Sequence, residues 1–483
     1  MMLKSSMWDG KIPNERFSIP SLFLFVPGVI ALLLAAVLGG LNPSYSFIAI
    51  GLIILVVVIV LRQYELAATI ILAAHLYVDW YLGYKVVGTT MALGLLSLLF
   101  LAQVPRSPRH SWVSPRGLWL WALFLVLTIF PTIQGATTLG DAFYYYPNII
   151  LGAFIIFWLG MVLARDKKHL RTLFKLLAAF GTLLAIHSLI QAATGTFLFA
   201  SARAETYQAQ TNYTLLGSNI QRIGSLFFNP DWNGTFLAIM LFLPLGLFVE
   251  TKSFLERLLY IGEMFLMIVA LLSTYSNGGW VGTFAGMMAF VLFLGRRHYS
   301  ILAFFALALV AVVVLVSFPA QVNLQLQHAT DPAELSIRTG AWQTAIRVIE
   351  AFPLTGIGLG LTNYLHRAEP YRVTAQVIPL AHPHNSYLEL GAMAGLPVLL
   401  VFIAILLFAL WQTWRNWMQA DAATRSLLGG GIATIISLSV NSISINGWTL
   451  PPLAAIGWLI LGAITSPLIL KKQPVETAEE KNS

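Results

Sequence analysis

The residues able to do chemistry gather in one stretch, from Pro319 to about Leu400. It carries Arg338, Arg347, Arg367 and Arg372 together with His328, His366, His382 and His384, in a chain whose other long segments are apolar. Histidine changes charge near neutral pH and serves as general acid or base. Arginine grips phosphate oxygens through a planar fork. The two together suit proton transfer beside a phosphorylated group at a membrane face. His384 and Asn385 open an apolar run, and Pro383 stiffens the approach to it. On spacing alone His384 reads either as a base or as a histidine bonded to a loop carbonyl. His382 lies close enough to form a pair with it, but no third ligand at regular spacing supports a metal centre.

What is missing narrows the chemistry. The chain has no Asp-x-Asp pair to clamp a diphosphate through a divalent ion, and no Gly-x-x-x-x-Gly-Lys-Ser/Thr loop. Cysteine is absent, which excludes disulfides and thiolate chemistry. We therefore expect a reaction independent of metal, ATP and any cofactor.

These residues must be positioned by a membrane protein. Of 483 residues, 58% are hydrophobic and only 10% charged, with mean hydropathy +0.78; soluble chains carry about a quarter charged residues. The net charge of +8 reads as loop charge in a multi-pass protein, not as a nucleic-acid surface. The first apolar run reads as a retained span. At about twenty apolar residues per crossing, candidate spans lie near 20–40, 45–61, 65–82, 86–103, 117–133, 147–164, 172–193, 233–250, 257–275, 279–295, 299–318, 385–411, 425–446 and 452–470. The crowding between 45 and 103 leaves the expected number of spans at 12–14.

With both termini inside, 21 of the 28 Lys and Arg fall in inner loops, as the positive-inside rule requires. The outer seven are Lys85, Arg203, Arg222, Arg338, Arg347, Arg367 and Arg372, and six of them are Arg. The whole chain, 1–483, is expected to be one transmembrane domain with two outer loops, 194–232 and a large one at 319–384. In the large loop, Asp331-Pro332 predicts a helix start. Leu335, Arg338, Trp342, Ala345, Ile349 and Phe352 follow at helical spacing, up to Pro353 and the turn Gly356-Ile357-Gly358-Leu359-Gly360. His75, Asp79, His187, Gln191 and Glu263 fall at membrane depth, where ionisable groups are functional candidates, but they form no ordered ladder.

Four blocks resemble, in order, those of the O-antigen ligase and polymerase superfamily of bacterial membrane glycosyltransferases. They are Arg222-Ile223-Gly224-Ser225-Leu226-Phe227-Phe228-Asn229-Pro230-Asp231, then Ser273-Thr274-Tyr275-Ser276-Asn277-Gly278-Gly279-Trp280, then Arg338-Thr339-Gly340-Ala341-Trp342 leading to Pro353-Leu354-Thr355-Gly356-Ile357-Gly358, and last His384-Asn385-Ser386-Tyr387-Leu388. Two positions depart from the pattern. Asn277 stands where the family's turn often bears an Arg, and Met393 stands where a Glu is common.

The resemblance implies an all-α polytopic membrane protein of GT-C-like architecture in the bacterial inner membrane, with an extracytoplasmic site. The implied donor is a glycan on polyprenyl (undecaprenyl) diphosphate; the implied acceptor is a lipid- or protein-borne hydroxyl. His384 would act as base or as the group that orients the acceptor. Arg222 and Arg338 would bind the diphosphate, with Arg203 or Arg338 making good the charge absent at Asn277. Asn385 and Tyr387 would shape the site. A polymerase extending the same lipid-linked glycan fits these residues nearly as well. A transporter, of bicarbonate or of the lipid-linked glycan, is the alternative from another class; it predicts broken helices around a midplane site.

Overall fold

A computed structural model describes residues 62–77, 85–103, 115–134, 141, 144–196, 221–294, 316, 319–374 and 379–470. The chain divides into two compact units, residues 1–67 and 68–483. Of the first, residues 62–67 are described, and they open the helix α1 (Tyr64–Leu76). The candidate spans 20–40 and 45–61, nearly all of 299–318, and Arg203 lie outside the described residues.

The second unit is helical and, among the described residues, has no strand. Its helices are α2 (Lys85–Gln103), α3 (Leu118–Leu127), α4 (Ile129–Gln134), α5 (Gly152–Leu163), α6 (Lys167–Thr194), α7 (Pro230–Met240), α8 (Phe242–Glu250), α9 (Phe254–Thr274), α10 (Asn277–Leu292), α11 (Pro319–Ala329), α12 (Pro332–Ala351), α13 (Leu361–Arg367), α14 (Ser386–Ala394), α15 (Leu396–Gln419), α16 (Ala422–Asn441) and α17 (Pro451–Thr465). Among the described residues, six segments are long and apolar enough to cross a membrane: Tyr146–Leu163, Lys167–Thr194, Pro230–Glu250, Leu396–Gln419, Ala422–Asn441 and Pro451–Leu470. The protein is an all-α polytopic membrane protein.

Lipid gives little hydrophobic drive between helices, so small residues and close packing hold such bundles. α5 and α17 meet where a side chain at Gly160 would strike the Leu459 carbonyl and one at Gly462 the Phe157 carbonyl. α16 packs against α8 and α10, and α6 against α9. A buried aromatic cluster lies between α15 and α17. In it the rings of Trp448 and Trp458 lie 4.7 Å apart, with Phe402 5.9 Å from Trp458.

Helix ends follow side-chain chemistry. Asp166 caps α6 by accepting from the His169 N–H at 2.9 Å, and Asp421 caps α16 through the Thr424 N–H at 2.7 Å. α12 spans Pro332–Ala351, as the Asp331-Pro332 start and the Pro353 stop predict. Its buried positions include Ala341, Ala345 and Val348, whereas Leu335 is 46% exposed. The inward stripe is thus rotated slightly from the one read in the sequence.

Two apolar runs are interrupted where the sequence suggested continuous spans. The run at 385–411 breaks at Gly395, whose φ is +87°. A side chain there would strike the carbonyl of Leu354, so α14 ends and α15 begins in a new direction with Pro397 in its first turn. The run at 425–446 ends as helix at Asn441. Residues 442–450 form turns, with Ser444 N–H donating to the Asn441 carbonyl at 2.9 Å.

Candidate active site

The site is built on the turn after α16. Arg338, from α12, donates through Nη1 to the Ser444 carbonyl at 2.8 Å. The backbone N–H of Ser386, at the start of α14, donates to the Ser442 carbonyl at 2.9 Å and the Ile445 carbonyl at 3.2 Å. Ser386 Oγ accepts from the Trp448 N–H at 3.0 Å. The outer-loop arginine and the His384 segment therefore clasp the same few residues, 442–448, although they are far apart in sequence.

Arg338 and Arg222 share one acid. Arg222 Nη2 lies 2.7 Å from Asp231 Oδ1, and Arg338 Nη2 lies 2.9 Å from Asp231 Oδ2. Arg222 is fixed from behind by Nε donating to the Thr274 carbonyl at 3.1 Å, and only 7% of it is exposed. Arg338 is the more open, with 17% of its side chain accessible. Asp231 lies in the first turn of α7, after the cap Asn229 and Pro230. Asn229 Oδ1 accepts from the N–H groups of Asp231 at 2.9 Å and Trp232 at 3.2 Å. Two guanidiniums thus share one carboxylate.

The Arg222 loop is held by polar residues that the sequence places at membrane depth. Gln191 Oε1 accepts from the Ser225 N–H at 2.8 Å, and His187 Nδ1 lies 2.7 Å from Ser225 Oγ. Asn233 Nδ2 donates to the Ile223 carbonyl at 3.1 Å. Ser225 and Phe228 carry φ of +48° and +53°, a conformation costly for such residues and sustained by these bonds. His75 lies 3.1 Å from Thr89 Oγ1 instead. Glu263 is buried within α9.

The Ser276-Asn277-Gly278-Gly279 turn closes another side. Ser276 Oγ accepts from the Gly279 N–H at 3.1 Å and caps α10. A side chain at Gly278 would strike Asn441 Oδ1, so the start of α10 lies against the start of the same turn. Asn277 Oδ1 accepts a hydrogen bond from Gln325 Nε2 of α11. Asn441 is 1% exposed, and its side-chain amide finds no hydrogen-bond partner among the described residues.

His384 has φ +51°, and its backbone N–H donates to Nδ1 of His382 at 3.2 Å. The two rings pack edge to face, centroids 4.4 Å apart. Accepting at Nδ1 requires a neutral His382 with its proton on Nε2. Burial, and then the neighbouring His384, push the His382 imidazole well below its ordinary range. The pair therefore sets a neutral imidazole, His382, against His384. Asn385 caps α14, its Oδ1 accepting from the N–H groups of Tyr387 and Leu388, both at 3.0 Å. Tyr387 donates its phenol to the Ser439 carbonyl at 2.8 Å, tying α14 to α16. One turn on, the buried Glu389 accepts from the Tyr145 hydroxyl at 2.7 Å.

The glycine turn locks α12 to α14. The N–H groups of Ile357 and Gly358 donate to the carbonyls of Ala392 and Met393, both at 2.9 Å. Gly356 has φ +63°, and a side chain there would strike the Met393 backbone. Met393 is fully buried and supplies a backbone acceptor at this joint. Arg367 and Arg372 are engaged locally: Arg367 with the Ile357 carbonyl at 2.8 Å, Arg372 with Glu369 at 2.8 Å.

Of the residues singled out in the sequence, Arg222 and Arg338 meet at Asp231. Arg338, Ser386 and the start of α10 meet at the 441–448 turn. Asp231 reads in the sequence as one scattered outer acid, and the turn is hidden in an apolar run. Their signals are present but weak: Asp231 closes the Arg222 block just after a cap and Pro230, and Asn441-Ser442-Ile443-Ser444-Ile445-Asn446-Gly447 is a polar interruption.

Residues 263–403 match the family model described as O-antigen ligase (Wzy_C). A search of curated proteins finds no match. The matched segment contains the Ser276 turn, α12, the glycine turn and His384, while Arg222 and Asp231 precede it. That segment is therefore similar to the O-antigen ligase family, which supports the resemblance read from the four sequence blocks.

Proposed function

We propose that this protein is a ligase-type glycosyltransferase, moving a glycan from a polyprenyl diphosphate to an acceptor hydroxyl at the outer face of the membrane. The observation that carries this reading is the Arg222–Asp231–Arg338 cluster, joined through Arg338 to the turn that anchors the His384 segment. In the reaction the acceptor oxygen bonds to the anomeric carbon, and the bond from that carbon to the diphosphate oxygen breaks. The electron pair leaves on the lipid diphosphate, and the hydroxyl proton passes to the His384 imidazole.

Charge growing on the departing diphosphate is best stabilised by cations fixed in advance. Asp231 does that fixing, holding two guanidiniums together before any anion arrives. Arg338, the more exposed, meets the diphosphate first, and Arg222 completes the cradle. Arg338 supplies near Asn277 the charge that the amide lacks. Neutral His382 places no second positive charge beside His384. Asn385 and Tyr387 position His384 by fixing the start of α14, and Arg203 is a further candidate for donor binding. No step requires a metal or cofactor.

The polymerase reading uses the same cluster. Purified protein given lipid-linked repeat units alone separates the two: ligation requires an added hydroxyl acceptor, whereas longer lipid-linked chains formed without one would make the protein a polymerase. Uptake by sealed proteoliposomes that survives His384→Ala would instead favour a transporter.

A further inference from the structure

The other end of the bundle holds a second arginine site. A cavity of about 280 Å³ is lined by Arg116, Arg415, Asn416, Gln419, Pro467 and Leu470. It lies where the segment before α3, the end of α15 and the 3-10 turn Pro467–Leu470 meet. Its walls are built. Gln412 Nε2 donates to the Arg116 carbonyl at 3.1 Å, and Asn416 Nδ2 to the carbonyls of Thr465 at 3.1 Å and Ser466 at 3.2 Å. Arg415 lies over the Trp411 ring, 5.0 Å from its centre. Among the described residues no carboxylate pairs with Arg116 or Arg415.

A neighbour on the same end shows what an arginine looks like when structure uses it. Arg425 stacks on Trp417 at 5.0 Å and also donates to the carbonyls of Trp417 and Met418, each at 3.1 Å. Arg415 has the ring contact and faces the cavity. Trp411 and Trp414 are 44% and 45% exposed beside it, as aromatic residues are at headgroup depth. Basic pockets between membrane helices at this level hold anionic headgroups.

We propose that this cavity binds the headgroup of an anionic phospholipid, its phosphate bridged between Arg116 and Arg415 and its glycerol region against Pro467 and Leu470. The site is separate from the Arg222–Asp231–Arg338 cluster and does not depend on the reaction assigned to it. The full chain is reconstituted in nanodiscs of equal phosphatidylglycerol and phosphatidylcholine, and the retained lipid is read by native mass spectrometry. Wild type should retain phosphatidylglycerol over phosphatidylcholine, and the double variant R116Q/R415Q should lose about tenfold of that retention. R425Q, which removes equal charge per site from the same end, should match wild type. Equal retention of the two lipids by wild type overturns the proposal without recourse to any variant. So does a double variant that retains as much as wild type, or an R425Q loss as large as the double variant's. Displacement of the lipid by millimolar inorganic phosphate would assign the cavity to free phosphate and overturn the lipid assignment.

Discussion

Two charged clusters at opposite ends of the same helices are built on different rules. At one end Lys167, Arg171 and Lys175 face Glu250, Glu256 and Asp421. Arg171 reaches Glu250 at 2.8 Å and Glu256 at 2.6 Å, Lys175 reaches Glu256 at 2.7 Å, and Lys167 lies between Glu250 at 3.5 Å and Asp421 at 3.8 Å. Each of these three cations has an acid, and the side chains are mostly a quarter to two-thirds exposed. At the other end Arg222 and Arg338 share Asp231, are more deeply buried, and are tied to backbone carbonyls. The balanced network joins helix ends. The second cluster draws two buried guanidiniums side by side onto one carboxylate.

That contrast can be broken by substitution. The largest effect is expected from His384→Ala, which should lower transfer by about 10²–10⁴, the usual contribution of a general base, while its melting temperature stays near that of wild type. Turnover at the wild-type rate would remove His384 from the chemistry. Asp231→Asn should cost about 3–5 kcal/mol of stability, because two buried guanidiniums lose their counter-charge; thermal melting in detergent reads this directly. Arg222→Lys keeps the charge and loses the fork, so donor transfer should fall about tenfold. A full-rate Lys variant would reduce Arg222 to a point charge.

At the balanced end Glu256→Gln should cost only about 0–1 kcal/mol, since exposed pairs contribute little, and transfer should be unchanged. A loss there as large as at Asp231 would erase the distinction between the two ends. The smallest expected effect concerns pH. The folded protein keeps His382 neutral below its ordinary range, so the unfolded chain takes up a proton that the folded one refuses. Stability is then complete above the ordinary imidazole pKa of about 6.5 and declines as pH falls below it, by up to about 1.4 kcal/mol per unit. H382Q should lose less melting temperature than wild type between pH 7 and pH 5.

Local chemistry was legible in the sequence, and long-range pairing was not. Asp331-Pro332 and Pro353 mark the ends of α12 because caps and proline act within a few residues. Clusters of Lys and Arg put the ends of α6, α9, α15 and α16 in inner loops as an expectation, and ion pairs from Lys167, Arg171 and Lys175 join α6 to the ends of α8, α9 and the cap of α16. Arg222, Arg338 and His384 could be chosen by type and setting. Asp231 could not be matched to the two arginines, because nothing local distinguishes an acid awaiting partners 9 and 107 positions away. The break at Gly395 and the turn after Asn441 were hidden by hydropathy, which counts apolar residues and ignores the crowding of one backbone against another. Gly395 lies against Leu354, a contact made only when α12 and α14 have docked.

The most direct measurement is a structure of the full-length protein in nanodiscs with a bound polyprenyl diphosphate. Diphosphate density is expected within hydrogen-bonding distance of the Arg338 guanidinium, beside Arg222, with the His384 imidazole facing the same space. Diphosphate held elsewhere, with tightly packed helices between it and His384, would contradict it.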